Sequence, residues 1–97
     1  MRMLLKAHLD TRKANQANQE GTIQETLGQV MDELKPEAAY FYPEDGKRTM
    51  LLVFDLQDPS FIPPTLEPLF QAGEASVDLT PVMNMEDLQS GLQKTLA

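Results

Sequence analysis

The stretch MLLVFDL, residues 50–56, decides the fold of this chain. It is apolar at every position except Asp55. Side chains of a strand point alternately to the two faces of a sheet, so a strand that is apolar on both faces lies in the middle of a sheet and is covered on both sides. Its hairpin partner comes just before it, because YFY at 40–42 favours a strand and PEDG at 43–46 supplies a turn.

A second central strand is predicted at the start of the chain. In MRMLLKAHLD, residues 1–10, apolar and polar side chains alternate, which is typical of a strand with two unlike faces. We expect the apolar face to meet helices and the other face to look away from them. The apolar set is Met3, Leu5, Ala7 and Leu9, and the opposite set is Arg2, Leu4, Lys6 and His8.

Helical patterns separate these strands. RKANQANQE, residues 12–20, predicts a polar helix capped by Asp10 or Thr11, and Gly21 interrupts it. TIQE, residues 22–25, predicts a capping box that starts a second helix, which ends at Pro36. Its predicted buried face is a stripe of five apolar side chains: Ile23, Leu27, Val30, Met31 and Leu34.

The rest of the chain continues this alternation of strands and helices. PTLEPLFQAG, residues 64–73, predicts a short or bent helix because it contains Pro68. EASVDLTPV, residues 74–82, predicts a fourth strand, and Asn84 caps a terminal helix. The apolar stripe of that last helix is Met85, Leu88, Leu92 and Leu96.

The order of these elements predicts a single α+β domain over residues 1–97. Strand, helix, strand, strand, helix, strand is the ferredoxin-like βαββαβ sandwich, here with an extra C-terminal helix. Its four-stranded antiparallel sheet has the order 4-1-3-2 and carries both helices on one face. Leu51 and Val53 lie on one face of the strand at 50–56, and Met50, Leu52, Phe54 and Leu56 lie on the other. One layer of helices cannot cover both faces, and a bare apolar sheet face indicates an interface. We expect a second copy to cover it sheet to sheet, giving a homodimer.

The composition of the chain limits the classes of partner and cofactor that we expect it to bind. The formal charge is −7, with 15 acidic residues against 8 lysines and arginines, so a nucleic-acid partner is not expected. There is no cysteine and one histidine, so we expect no metal site and no cofactor. No apolar run reaches the ~18 residues of a membrane helix. The first residues are unlike a signal peptide, so we expect a cytoplasmic protein that contacts no membrane.

A resemblance adds to these inferences. The chain resembles the dimeric α+β-barrel superfamily, and more narrowly it is similar to small uncharacterised bacterial proteins. The shared stretches are DELKPEAAYF, DGKR, FDLQDPSFIPP, EPLF and LTPVMNMEDL. The superfamily includes muconolactone-isomerase-like enzymes and antibiotic-biosynthesis-type monooxygenases. The resemblance implies a ferredoxin-like fold and dimerisation, and it implies no particular catalytic residue.

Two groups of side chains are candidates for a functional site. His8 and Lys6 share one face of the first strand, and Asp78 on the fourth strand is expected beside them. These three would suit proton abstraction next to a carbonyl, although charge balance at a dimer interface is the favoured interpretation. Tyr40 and Tyr42 share a strand face and could bind a ligand through their hydroxyls, although packing is the more common role.

Two hypotheses for the function follow, and the sequence leaves open whether the chain is an enzyme. In the first, it is a homodimer that binds a small ligand in a cleft between sheet and helices. In the second, it is a cofactorless isomerase or monooxygenase with His8 as general base. The second requires His8 in a cavity, within about 3 Å of a carboxylate or hydroxyl. The charged residues of EDGKR, 44–48, are predicted to form only a solvated turn.

Overall fold

The fold was obtained as a computed structural model that describes residues 1–9 and 21–96. The helix predicted over 12–20 and its cap lie outside these residues. The described residues form four strands and three α-helices, and none of these helices is long and apolar enough to cross a membrane. In chain order they are β1 Arg2–His8, α1 Thr22–Leu34, β2 Ala38–Glu44, β3 Lys47–Asp55, α2 Ile62–Gly73, β4 Ser76–Pro81 and α3 Met85–Thr95. A short 3-10 turn, Pro59–Phe61, leads into α2.

The four strands form one antiparallel sheet in the order β2-β3-β1-β4. Read from β4, this order is 4-1-3-2, with β1 and β3 in the centre. The arrangement is an open α+β sheet that is compatible with a ferredoxin-like fold. In the register of the central pair, Leu5 lies opposite Leu52 and Lys6 lies opposite Leu51.

Helices α1 and α2 cover one face of this sheet. Val30 of α1 and Leu69 of α2 are buried against the apolar side chains of the two central strands. The alternation predicted for residues 1–9 is confirmed, since every second side chain is buried there. The core residues from β1 and β3 are Met3, Leu5, Ala7, Met50, Leu52 and Phe54, and Leu9 adjoins them just after β1.

The ends of α1 are set by backbone conformation. Gly21 occupies the N-cap position with φ 78°, and no side chain caps the helix there. The capping box predicted over residues 22–25 is therefore wrong, because Thr22 is already the first helical residue. At the other end Lys35 turns left-handed at φ 44°, and Pro36 follows it, as predicted for the end of this helix.

Helix α3 is capped as predicted but packs little against the domain. Asn84 Oδ1 accepts a hydrogen bond from Asp87 N at 2.8 Å, and Asp87 Oδ2 accepts one from Asn84 N at 3.1 Å. This reciprocal pair satisfies two of the backbone donors that a helix start leaves free. No residue of α3 is buried. The helix therefore owes its form to local contacts more than to the core.

Candidate functional site

The sheet face opposite α1 and α2, here called the open face, divides into two halves. On β1, β2 and β3 the strand registers group five side chains in an apolar half and five in a polar cluster nearer the end of β1. The charged pair Arg2 and Asp55 lies on the same face at the start of β1, and β4 adds Ser76, Asp78 and Thr80. The apolar half consists of Leu4, Ala38, Tyr40, Leu51 and Val53. The polar cluster consists of Lys6, His8, Tyr42, Glu44 and Thr49.

A tight turn places Glu44 in the polar cluster. Asp45 and Gly46 both have positive φ, 54° and 75°, and they form the two-residue connection between β2 and β3. An Asp-Gly pair suits this turn because Gly and Asp tolerate the left-handed region. Glu44 is therefore the last residue of β2 and pairs with Lys47. The turn predicted over 43–46 and the solvated turn predicted over 44–48 are both wrong in extent, since Pro43 and Glu44 belong to β2 and Lys47 and Arg48 belong to β3.

The carboxylate of Glu44 joins Lys6 and His8 of β1. Lys6 Nζ donates to Glu44 Oε1 at 3.2 Å, and His8 Nε2 lies 3.1 Å from Glu44 Oε2. These side chains are each between a fifth and about a third exposed, so the contacts are only partly shielded from water. One carboxylate thus contacts a lysine and the single histidine of the chain on this face.

Thr49 lies beneath this contact and is 3 % exposed. Its Oγ1 is 3.0 Å from His8 Nδ1, and it donates a hydrogen bond to the carbonyl of Lys47 at 3.1 Å. Both ring nitrogens of His8 therefore have a protein partner. A general base needs one ring nitrogen directed at a substrate, while the other is held in place. The geometry of the single chain favours His8 as a structural residue.

The pKa of Lys6 is raised above its ordinary value of 10.5. The main causes are the hydrogen bond and the charge attraction from Glu44, followed by Tyr42 and, more weakly, Asp78. Asp78 lies directly opposite Lys6 in the register of β1 and β4. Lys6 is therefore held protonated between acidic side chains on two other strands. A cation fixed in this way is suited to charge balance or to binding an anion, and it is unsuited to proton abstraction.

The two tyrosines lie in different surroundings. Tyr40 belongs to the apolar half, opposite Leu51, and is 63 % exposed on the edge strand β2. Tyr42 lies opposite Thr49 and is half-buried. Tyr42 also lines a cleft, described next, whereas Tyr40 does not line it.

An open cleft of about 660 Å³ lies between the β2–β3 hairpin and α1. Its walls are apolar, with Phe41 and Met50 on the sheet side and Leu27 on the helix side. Tyr42 and Lys47 lie at its hairpin end. Neither His8 nor Lys6 lines it. The cleft therefore matches the predicted position between sheet and helices, and it is separate from the candidate catalytic residues.

Several site residues were missed from the sequence. Glu44 and Thr49 complete the polar cluster, and Phe41 lines the cleft. The Asp-Gly pair at 45–46 could have located Glu44 and Thr49, because a two-residue turn fixes which side chains of the hairpin share a face. Within residues 1–9 and 21–96, no group of three or more histidine, cysteine, aspartate or glutamate side chains could hold a metal ion.

Comparison with known proteins adds no assignment. No protein-family model matches the chain, and no curated protein is significantly similar to it. The resemblance to dimeric α+β-barrel proteins therefore stays a prediction. The features that bear on function are the two halves of the open face, the cleft and helix α3.

Proposed function

We propose that this protein is a cytoplasmic, cofactor-free homodimer of the dimeric α+β-barrel type that binds a small molecule. The observation that carries the proposal is the apolar cleft of about 660 Å³ between the hairpin and α1. Its volume falls in the range of ordinary ligand sites, and its few polar groups are gathered at one end. The polar cluster is then part of the dimer surface.

The open face supports the dimer. Leu4, Leu51 and Val53 are only half-buried, although they lie on the two central strands of the sheet. Central strands with apolar side chains on both faces are normally covered on both sides. A second copy placed by a two-fold axis brings the same surface to both partners, so each covers the other.

The cleft indicates the class of ligand. Phe41 is 57 % exposed, so it offers an aromatic surface for stacking. Tyr42, Lys47 and Arg48 line the hairpin end of the cleft, and their side chains carry donor groups. A flat apolar molecule with one anionic or carbonyl end fits these groups best.

Ligand binding is tested first by native mass spectrometry of the purified protein, which reveals a co-purified molecule. The fluorescent probe 1-anilinonaphthalene-8-sulfonate has the proposed shape and charge, and we expect it to bind with a stoichiometry of one per chain. Phe41→Ser should weaken that binding at least tenfold. The matched control is Phe70→Ser, which removes a similarly exposed phenylalanine from α2, outside the cleft. Equal probe binding by both variants would contradict the proposal.

The dimer is tested by light scattering on the intact chain. The wild-type protein should have a dimer mass at micromolar concentration. Leu51→Lys places a charge in the apolar half and should shift the mass towards a monomer, because an unpaired charge in an interface is costly. Gln71→Lys makes the same addition of charge on the exposed part of α2 and should leave the dimer intact. A wild-type monomer would exclude the dimer.

A cofactorless isomerase or monooxygenase is the alternative function. The observation that favours it is the polar cluster, where His8 and Lys6 share Glu44, with Tyr42 beside Lys6 and Asp78 opposite it. His8 would be the base, and Lys6, Asp78 and Tyr40 or Tyr42 would assist it. This requires the second copy to form a cavity beside His8. His8→Asn should then abolish deuterium exchange into an unsaturated γ-lactone, while the dimer and probe binding persist.

A further inference from the structure

Helix α3 presents an apolar stripe to solvent. Met85, Leu88, Leu92 and Leu96 are 66, 40, 54 and 80 % exposed. Their spacing puts them on one side of the helix, which is the pattern of a helix that buries this side against another surface. Nearby Met83 is also exposed. Nothing in the described part of the same chain covers this stripe.

The helix is nevertheless firmly built and anchored. The reciprocal contacts of Asn84 and Asp87 cap its start, and Lys94 lies in its last turn, where a cation is favourable. Arg2 Nη1 lies 3.6 Å from Asp87 Oδ2, and Val82 N donates to the carbonyl of Arg2 at 3.2 Å. Arg2 belongs to the open face, opposite Asp55. Helix α3 therefore begins at the rim of the open face.

We propose that α3 is an arm that packs its apolar stripe against the second copy of the homodimer. This inference rests on the proposed dimer and specifies where a further part of the contact lies. Two surfaces of the chain lack a covering layer: the apolar half of the open face and the stripe of α3. They are joined at Arg2, so one two-fold partner can cover both.

The surface area that a stable dimer buries supports the proposal that α3 is an arm. Four strands of six to nine residues, about seven on average, make a face of roughly 19 by 23 Å, or about 440 Å², at ordinary strand spacing. A standard interface buries about 800 Å² on each partner, so the sheet face alone supplies about half. The 11 residues of α3 form a rod roughly 16 Å long and 10 Å wide. Each copy contributes one stripe and receives one, which brings the buried area close to ~800 Å².

The charge pattern of α3 fits the same arrangement. Asp87 points to its own domain through Arg2, and the four stripe residues carry no charge. The stripe itself therefore adds no charged group to the contact, and it adds no cost of desolvating one. The acidic residues at the start of the helix stay on its other sides, in water.

The first test compares two double variants of the intact chain by sedimentation at several protein concentrations. Leu88→Glu with Leu92→Glu places two charges in the stripe and should weaken dimerisation at least tenfold. Ser90→Glu with Gln93→Glu adds the same charges to exposed positions outside the stripe. This variant should change the dissociation constant of the dimer less than about twofold. Circular dichroism of both variants checks that the fold is kept.

The second test locates the stripe directly. The chain contains no cysteine, so Leu92→Cys carries a benzophenone photo-crosslinker at one defined position. This variant is mixed with wild-type protein labelled with ¹⁵N, and cross-linked peptides are analysed by mass spectrometry. We expect peptides that join an unlabelled α3 to a labelled chain. The stripe would then lie against the other copy.

The outcomes separate the two proposals. A wild-type monomer at high concentration overturns the dimer and the arm together. A wild-type dimer that both double variants preserve equally, with cross-links confined to single chains, overturns the arm and leaves the sheet-to-sheet dimer standing. A dimer whose stripe cross-links to no second chain likewise overturns the arm.

Discussion

The two faces of β3 carry nearly the same residue types but have different surroundings. Met50, Leu52 and Phe54 are 1, 0 and 1 % exposed beneath α1 and α2. Leu51 and Val53, one position away, are only half-buried on the open face. Hydrophobicity therefore does not decide burial here, and the layer that covers each face does. The chain supplies one covering layer for a strand that needs two.

The largest expected effect tests this comparison directly. Leu52→Ala removes a fully buried side chain from the core and should lower the free energy of unfolding by about 2–5 kcal/mol. Leu51→Ala removes the same atoms from the open face. In the single chain, Leu51→Ala should lower the free energy of unfolding less than half as much as Leu52→Ala does. The rest of its effect should appear as weaker dimerisation. Urea unfolding at two protein concentrations measures both.

Equal, concentration-independent losses for Leu51→Ala and Leu52→Ala would show that the open face is already covered within one chain. That outcome would remove the main support for the sheet-to-sheet dimer. A larger loss for Leu51→Ala at high protein concentration than at low concentration would instead strengthen it, because mass action populates the dimer at high concentration and only the dimer loses the contact between copies.

The next largest effect on stability is expected at the turn between β2 and β3, because this turn fixes which hairpin side chains lie on each face of the sheet. Gly46→Ala should destabilise the fold by about 1–2 kcal/mol, because a side chain is unfavourable at φ +75°. An added Cβ meets no atom within 4 Å there, so the cost is backbone strain alone. Gly28→Ala in α1 is the control, since it also meets no atom and should stabilise the helix by roughly 0.5–1 kcal/mol. Thermal unfolding of the two variants should therefore shift in opposite directions.

A smaller effect is expected from the buried hydroxyl of the open face. Thr49→Val keeps the shape of the side chain and removes the hydrogen bonds to the Lys47 carbonyl and to His8, at a cost of about 1 kcal/mol. Thr80→Val is the matched change on the exposed edge strand and should stay within about 0.5 kcal/mol of wild type. Similar costs for the two variants would mean that Thr49 does not support the polar cluster.

The smallest effect is a shift in titration. The pKa of Lys6 is raised above 10.5 mainly by Glu44, so Glu44→Gln should lower it towards that value. The stability that this pair contributes is fully present below pH 10.5 and is lost as the pH rises through the raised pKa of the folded chain. The variant should therefore lose less stability than wild type above pH 10.5. NMR titration of the Lys6 side chain measures the shift.

Two controls sharpen this titration. Asp78→Asn should lower the pKa of Lys6 less than Glu44→Gln does, because Asp78 acts only through a weaker charge attraction. Glu67→Gln, on the exposed surface of α2, should leave Lys6 unchanged. A Lys6 pKa that does not respond to Glu44→Gln would contradict the contact across the polar cluster.

Much of the fold was predictable because its signals are local. Alternation over residues 1–9 predicted which side chains of β1 are buried, and the helical stripe from Ile23 to Leu34 predicted the buried face of α1. Pro36 and Asn84 predicted one helix end and one helix start. These features depend on the residues themselves and on their near neighbours, so the sequence contains them.

The candidate site was only partly predictable because it depends on pairing across strands. His8, Lys6 and Asp78 were correctly expected on neighbouring strands, since the strand order follows from the pattern of elements. Glu44 was assigned to a solvated turn, because its place depends on two residues that adopt positive φ. Thr49 gave no signal of its own. Its burial becomes visible only when β1 and β2 lie on either side of β3.

The sequence by itself determined the kinds of elements, their order, the two unlike faces of β1 and the two apolar faces of β3, because side-chain periodicity is a property of the chain. The tertiary structure alone decided that Glu44 reaches both Lys6 and His8, that a cleft opens beside Phe41, and that the stripe of α3 stays exposed. These depend on strand register and on which faces the helices cover, which are set by contacts between residues distant in the chain.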